Sequence, residues 1–243
     1  MTRRRWIADR WTENSATLLE GQATHLARVL RAQVGQEFDI VAGHAVRRGV
    51  VEKVSLDAVE FSLHEEVEAE ESLPLIVGLS IVRFERTEWA VEKLTELGVA
   101  RIIPLTAQRS EKHLVQAAAK RCDRWRKISR ESAQQSRRSQ VLEISDPMSV
   151  TECIAQSGNA LRYIFSEEER SRSLWESLVS IDQNAMASTE IYAAVGPEGG
   201  WTSSELSSFA EGGWQSVSLG KNILRTETAA IAAACLIGAW WNG

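Results

Sequence analysis

Two glycine-bearing segments near the end of the chain have the residue types and spacing of a ligand site. The first, residues 195–202, reads VGPEGGWT, and the second, residues 219–230, reads LGKNILRTETAA. Each follows a strand-like run and opens a helix-like run: Thr202 with Glu205 fits a capping box, and Thr226 is a predicted N-cap. Because backbone groups at strand ends face the ligand in α/β proteins, the pair predicts a ligand cradle. Either segment alone is also typical of an ordinary turn or a capped helix start.

The order of the two segments resembles the signature of the knotted SPOUT-class RNA methyltransferases, and more narrowly the ribosomal RNA small subunit methyltransferase E family. That family reads close to GPEGG-aromatic-S/T-x-x-E, then SLG-x-x-ILR-x-ETA, and residues 195–230 follow this pattern closely. Residues 25–35, 85–99, 104–110 and 124–138 also resemble family segments, so the similarity covers most of the chain. The departures from the family pattern lie outside both signature segments, at Thr24, Arg83, Phe84 and Gln134.

The resemblance implies a methyl transfer from S-adenosylmethionine to N3 of a specific uridine in 16S ribosomal RNA, within the small ribosomal subunit. It further implies that the backbone of the signature segments and one earlier strand end hold the cofactor. The cofactor-binding residues expected on this basis are Phe165, Ser166, Gly196, Pro197, Glu198, Gly199, Gly200, Leu219, Gly220, Ile223, Leu224 and Thr226.

Two charged residues of these segments are the candidates for catalysis. When uracil N3 loses its proton, negative charge spreads onto O2 and O4, and a fixed cation beside them would stabilise the transition state. Arg225 is the predicted cation because it is the only one in the ILR run; binding a phosphate or a neighbouring carboxylate is the alternative. Glu198 is the predicted acid for accepting or steering the proton, although tying the loop to backbone N–H groups would explain it equally well.

Charge is unevenly distributed along the chain. The net charge is −5, which argues against a general nucleic-acid binder, yet residues 101–140 carry eleven cations against three acids. Arginines at positions 3, 4, 5 and 10 form a second basic cluster. Phosphate backbones need such patches, so RNA contact is expected, although a solvated helix face would explain Lys120 to Arg130 alone. The predicted RNA-contact residues are Arg4, Arg28, Arg31, Arg86, Lys93, Glu96, Arg109 and Arg138.

The pattern of apolar residues predicts two domains. Residues 1–72, with strands at 38–41, 46–54 and 59–63, predict a small β-barrel, and the acidic run 65–71 is the predicted linker. From 73 to 243 strand-like and helix-like runs alternate, which predicts a parallel α/β sheet. The predicted strands are 75–82, 101–105, 161–165, 191–195 and 217–219, and the predicted helices are 87–97, 115–136 and 229–241. The resemblance implies a PUA-like RNA-binding barrel, a SPOUT domain with a C-terminal trefoil knot, and a homodimer.

Several function classes are disfavoured by what the sequence lacks. Cys122, Cys153 and Cys235 lie far apart without a CxxC or metal spacing, so a reducing compartment without disulfides or zinc is expected. Residues 1–11 have no apolar signal-peptide core and no run is long enough to span a bilayer, so a cytoplasmic protein without a membrane partner is expected. GxGxxG and the P-loop are absent, which disfavours a conventional nucleotide-binding enzyme. A knotted methyltransferase with another RNA target and a non-catalytic RNA-binding or assembly factor stay open as alternatives.

Overall fold

The computed structural model describes residues 5–43, 45–68, 71–181 and 190–243. The chain divides into two compact units. The first unit comprises Met1–Glu71 and Ala133–Val141, and the second comprises Ser72–Ser132 and Leu142–Gly243. No helix in the described ranges combines the length and the apolar composition that crossing a bilayer requires.

The first unit is a curled six-stranded sheet with one short helical segment. Its elements are β1 (Arg5–Ile7), β2 (Arg10–Trp11), β3 (Ser15–Leu19), α1 (Glu20–Thr24) continuing into a π-helical turn (His25–Val29), β4 (Glu37–Ala42), β5 (Ala45–Val54) and β6 (Ala58–Glu66). The strand order is β1-β4-β5-β6-β3-β2, and every pair is antiparallel except β1 with β4. The three predicted strands are confirmed within β4, β5 and β6, whereas β1, β2 and β3 were not predicted.

The core of this unit follows the two-residue period of its strands. In β6, Val59, Phe61 and Leu63 are buried at alternate positions, as expected for a sheet with one face toward the core. A Cβ added to Gly49 of β5 would point to this same face and come 2.4 Å from Ile40. The strand therefore needs glycine there. The linker prediction is wrong at its start: Glu66 still pairs with Arg47 across the sheet, so β6 continues into the acidic run.

The second unit is a parallel sheet flanked by helices. Its elements are β7 (Leu73–Ser80), α2 (Phe84–Glu96), β8 (Val99–Thr106), α3 (Lys112–Gln135, whose last three residues belong to the first unit), β9 (Glu143–Ile144), β10 (Met148–Ser149), α4 (Val150–Gln156), β11 (Leu161–Phe165), α5 (Leu174–Val179), β12 (Ile191–Val195), α6 (Ser203–Glu211), β13 (Gln215–Val217) and α7 (Thr226–Trp241). The strand order is β10-β8-β7-β12-β11-β13, with β9 beside β8. Every pair is parallel, which confirms the predicted α/β class.

Burial explains why these runs form a parallel sheet. All five residues of β12 and seven of the eight residues of β7 are buried, as strands covered on both faces require. In α2, the apolar side chains of Ala90, Val91 and Leu94 face the core on one side of the helix. β13 ends at Val217, so the strand predicted at 217–219 lies two residues too late.

Two predicted helix caps have different outcomes. Thr202 accepts a hydrogen bond from the backbone of Glu205, whose side chain returns to Thr202, so the predicted capping box of α6 is confirmed. The prediction of Thr226 as an N-cap is wrong, because Arg225 occupies that position and Thr226 is the first residue of α7. The Thr226 hydroxyl instead donates to the carbonyl oxygen of Gly196 at 2.8 Å, which is a tertiary contact between the two signature segments.

Candidate functional site

Three strands of the second unit end at the same level, and their loops form one cavity. Phe165 at the end of β11 is in register with Val195 at the end of β12 and with Val217 at the end of β13. In open α/β sheets, the carboxyl edge of the strands is where ligands bind. The cavity there has a volume of about 820 Å³, within the roughly 300–1,000 Å³ of small-molecule sites. Its walls are the loops after β11, β12 and β13 and the first turn of α7.

The loop after β12 is fixed by a tryptophan and by glycine geometry. The Trp201 indole N–H donates to the carbonyl oxygen of Phe165 at 2.9 Å. A Cβ on Gly196 would lie 3.1 Å from that indole, so the ring lies against the glycine backbone. Gly200 has a φ of +68°, a conformation that favours glycine, and its N–H donates to Pro197 at 2.8 Å. The GPEGG run is therefore a tight turn whose backbone faces the cavity.

Arg109, from the loop between β8 and α3, holds the same turn from another side. Its guanidinium donates to the carbonyl oxygens of Gly199 at 2.8 Å and Trp201 at 3.1 Å. Both hydrogen bonds come from one nitrogen, Nη1, which carries two N–H donors. Arg109 also lines the cavity, so the same side chain that holds the GPEGG turn forms part of the cavity wall.

The loop after β13 is anchored at both ends. Ser218 accepts from the N–H of Gly220 at 3.1 Å, and Gly220 has a φ of +126°. At the other end, Leu224 packs against the main core and Thr226 binds Gly196. Between these anchors, Ile223 is 78% exposed.

The loop after β11 contributes most of the acidic groups of the cavity. Glu167, Glu168 and Glu169 of this loop line it, and Glu176 of α5 adds a fourth carboxylate. Glu169 accepts hydrogen bonds from the side chain and backbone of Ser171, which lowers the pKa of its carboxyl. A positively charged ligand would be favoured beside this wall because carboxylates stabilise nearby positive charge.

An arginine of α2 connects the two signature segments electrostatically. Arg86 forms an ion pair with Glu198, and its Nε lies 3.8 Å from the carboxylate of Glu227 at the start of α7. The Glu227 side chain is 7% exposed and that of Glu198 is 44% exposed. Arg86 therefore holds one carboxylate from each signature segment, Glu198 at the cavity and Glu227 in the first turn of α7.

This chain is similar to known RNA methyltransferases over most of its length. A family model described as the RNA methyltransferase domain matches residues 69–238. The ribosomal RNA small subunit methyltransferase E of Synechocystis is 31% identical over 93% of this chain and 74% of its own length. The chain belongs to this family. The predicted family is thereby confirmed.

Two further members of the family extend the similarity. The Aquifex aeolicus protein is 30% identical over 92% of this chain and 94% of its own length. The crystal structure of the Neisseria gonorrhoeae protein bound to S-adenosyl methionine aligns with a TM-score of 0.79, at 28% identity over 98% of both chains.

The predicted cofactor residues of this family member converge on the cavity. All of them line it except Gly199, whose carbonyl is turned to Arg109. Arg225 and Glu198 also line it. Sequence reasoning missed other lining residues, among them Trp201, Lys221, Asn222 and the run from Glu168 to Ser171. The aromatic position of the GPEGG-aromatic pattern was the available signal for Trp201, whereas the loop after β11 has no comparable motif.

The predicted RNA-contact residues are divided between the two units. Arg28 and Arg31 are exposed and Arg138 is half-buried in the first unit, while Arg4 lies outside the described residues. In the second unit, Lys93 binds Glu96 at 2.8 Å and Glu92 at 2.7 Å. The hydrogen bonds that Lys93 donates to the carboxylates of Glu92 and Glu96 raise the pKa of Lys93. The charges of Lys93 and Glu96 are therefore paired with each other. Arg109 binds backbone carbonyl oxygens, and Arg86 forms an ion pair with Glu198.

The basic excess of residues 101–140 is partly neutralised. Arg124 makes a two-point ion pair with Glu88, at 2.7 and 2.8 Å. Arg126 binds Asp146 at 2.7 Å and Asp123 at 3.0 Å. No group of three or more His, Cys, Asp or Glu residues in the described part of the chain is arranged to hold a metal ion.

Proposed function

We propose that this protein transfers the methyl group of S-adenosylmethionine to N3 of a uridine in 16S ribosomal RNA within the small ribosomal subunit, in the cytoplasm. The observation that carries the proposal is the cavity at the ends of β11, β12 and β13, lined by both signature segments in a member of this family. The Neisseria relative carries S-adenosyl methionine in its crystal structure, which supports the choice of cofactor.

The residues of the cavity fit the cofactor chemically. Apolar side chains such as Leu219, Leu224 and Phe165 suit a flat adenine ring, and backbone groups of the two loops are available to its edge. The carboxylates of Glu167 and its neighbours suit the positively charged sulfonium and ammonium groups. When bound, the cofactor supplies an electrophilic methyl group, and the protein supplies orientation and electrostatics.

Arg225 is the proposed catalytic cation. Its side chain is exposed, lines the cavity and has no ion pair or hydrogen bond among residues 5–43, 45–68, 71–181 and 190–243. A guanidinium that no protein carboxylate neutralises is free to lie beside O2 or O4 of the uracil. There it stabilises the negative charge that develops as the N3 proton leaves.

Glu198 is proposed to orient the imide, with Arg86 as its positioning partner. The ion pair with Arg86 fixes the position of the Glu198 carboxylate at the cavity. From there the carboxylate would accept a hydrogen bond from the N3–H and then take up that proton as N3 receives the methyl group.

The two predicted domains have proposed roles. Residues 1–72, which the structure groups with residues 133–141, are proposed as a PUA-like RNA-binding domain, with the exposed Arg28 and Arg31 as phosphate contacts. Residues 73–243, apart from 133–141, are proposed as a SPOUT domain with a C-terminal trefoil knot. Residues before and after the loop that follows β11 bond the same short segment: Ser166 N–H donates to Val217, and Leu174 N–H donates to Ser218 at 2.9 Å. Because both ends of this loop bond to residues 217 and 218, that segment lies between them, which supports the proposed knot.

A homodimer is proposed from the composition of α7. The helix is apolar on nearly all sides, yet Cys235 is exposed and its neighbours Ile231 and Leu236 are only half-buried in the single chain. Helices that are apolar all round are normally buried, so a second copy of the chain would cover this face. Such an isologous contact is typical of C2 dimers.

Nucleoside mass spectrometry tests the function directly. Unmodified small ribosomal subunits are incubated with the protein and methyl-labelled S-adenosylmethionine, and the RNA is digested. Labelled 3-methyluridine is the expected product. A different labelled nucleoside would support a methyltransferase with another target, and no label with subunits, free rRNA or tRNA would support a non-catalytic RNA-binding protein.

Two arginine variants separate the role of Arg225 from general charge. Arg225→Ala is expected to lower the methylation rate at least 100-fold, the scale of losing one charge-stabilising group, with cofactor affinity within about twofold. Arg172→Ala is the matched control, because Arg172 is exposed on a neighbouring loop and does not line the cavity. Equal rates for the two variants would exclude Arg225 from the mechanism.

A further inference from the structure

Ile223 is the most exposed large apolar side chain in the described part of the chain, at 78%. Single exposed apolar residues are common on proteins and need no explanation by themselves. The position of Ile223 is what requires one. It lies at the cavity, between Lys221 and Arg225, and neither cation has an ion pair among the described residues.

The loop holds Ile223 outward. Gly220 is hydrogen-bonded to Ser218 on one side, and the partly buried Leu224 packs against the core on the other. Thr226 then fixes the start of α7 on Gly196 at 2.8 Å. With both ends anchored, the five residues between Gly220 and Thr226 have little slack to fold Ile223 back onto the protein.

The proposed reaction creates a need for such a side chain. N3 lies on the Watson–Crick edge of uracil, so a base that is stacked or paired must leave the stack before its N3 can reach the cavity. Unstacking costs a few kcal/mol, and proteins that unstack bases insert apolar wedges such as isoleucine into the opened step.

We infer that Ile223, which the family resemblance predicts as a cofactor contact, is instead the wedge that fills the space vacated by the target uridine, while Lys221 holds an adjacent phosphate. The inference rests on the proposed function and adds the mode of substrate opening. Charge favours RNA as the occupant of this loop, because an apolar tip flanked by unpaired cations matches stacked bases flanked by phosphates.

The two residues should have separable kinetic signatures. Without the wedge, fewer bound RNA molecules have the uridine in the cavity, so Ile223→Ala should lower kcat about tenfold with little change in KM for small subunits. Ile223→Leu keeps an apolar wedge of similar volume and should retain a rate within about threefold. Lys221→Ala should raise KM and reduce the salt dependence of binding, with kcat nearly unchanged.

Matched measurements identify the competing explanations. Val179→Ala is the control, since Val179 is 54% exposed in α5 and does not line the cavity. Affinity for S-adenosylmethionine and the sedimentation coefficient are measured for each variant. The inference is wrong if Ile223→Ala keeps kcat, if its loss follows weaker cofactor binding, which would make Ile223 an adenine contact, or if it changes the oligomeric state. Absence of 3-methyluridine with the unaltered protein would instead refute the proposed function.

Discussion

Replacing Thr226 with valine tests whether the two signature segments are held together by one hydrogen bond. The Thr226 side chain is almost isosteric with valine, is 4% exposed and donates to the carbonyl oxygen of Gly196 at 2.8 Å. Valine removes the donor and leaves the carbonyl without this partner. A fully buried unsatisfied acceptor costs about 1–3 kcal/mol, and because Gly196 is only half-buried we expect about 1–2 kcal/mol.

Thermal unfolding and calorimetry measure the two consequences. For a chain of this size, 1 kcal/mol lowers Tm by about 2–4 °C, so Thr226→Val should lower it by about 2–8 °C. The freed Gly196 carbonyl should also loosen the cavity wall and weaken S-adenosylmethionine binding, by about three- to tenfold for a loss near 1 kcal/mol.

The same helix offers a close control for this prediction. Thr228→Val makes the identical chemical change two residues later, where the threonine is exposed, so a surface-type effect within about 0.5 kcal/mol is expected. If both variants lose the same stability and affinity, the effect comes from threonine in this helix and not from the contact with Gly196. If Thr226→Val loses neither, the hydrogen bond does not hold the cavity.

Three further predictions concern charged and thiol groups. Arg109→Ala removes both guanidinium bonds to the GPEGG loop and should weaken S-adenosylmethionine binding about tenfold by calorimetry, with Arg109→Lys recovering only part. Arg86→Met leaves the buried Glu227 without its cation and should cost about 2–3 kcal/mol in chemical unfolding, most of which Arg86→Met with Glu227→Gln should recover. Burial raises the pKa of Cys153 from 9.0 to about 12, so a thiol reagent at pH 8 should leave Cys153 unlabelled in the folded protein and label it after unfolding. Between pH 9 and about 12 the Cys153 thiol stays protonated in the folded protein but loses its proton in the unfolded chain. The free energy of unfolding should therefore fall as the pH rises from 9 toward 12, and it should fall less in the Cys153→Ala variant.

The sequence predicted elements best where burial alone determines them. The strands β11 and β12 have the predicted limits, because each is a five-residue, mainly apolar run, too short for a typical helix, and β12 is buried along its whole length. β1 and β2 were missed because they are only three and two residues long, and only their pairing with β4 and β3 defines them. The acidic end of β6 was misassigned for a related reason: charge indicates exposure, and an exposed strand end is still a strand when its partner continues.

The candidate site shows the same limit at the level of side chains. Glycines and apolar residues of the signature segments could be predicted as cavity walls, because their role depends on local backbone geometry. The partners of charged residues could not, since they lie far away along the chain. Arg86 and Arg109 were both predicted as RNA contacts, yet one is paired with Glu198 and the other binds the carbonyl oxygen of Gly199.

The start of α7 shows how one tertiary contact determines the placement of the proposed catalytic group. Arg225 is the N-cap, with an extended backbone at φ −66° and ψ 154°, whereas Thr226 is helical and fixed to Gly196. Each residue turns a helix by about 100°, so starting α7 one residue earlier would rotate the arginine away from its present direction. The hydrogen bond from Thr226 therefore sets where the helix begins, and with it where the cation lies at the cavity. Cofactor wall and catalytic cation are in this way positioned by the same contact, and a change in Thr226 should affect both.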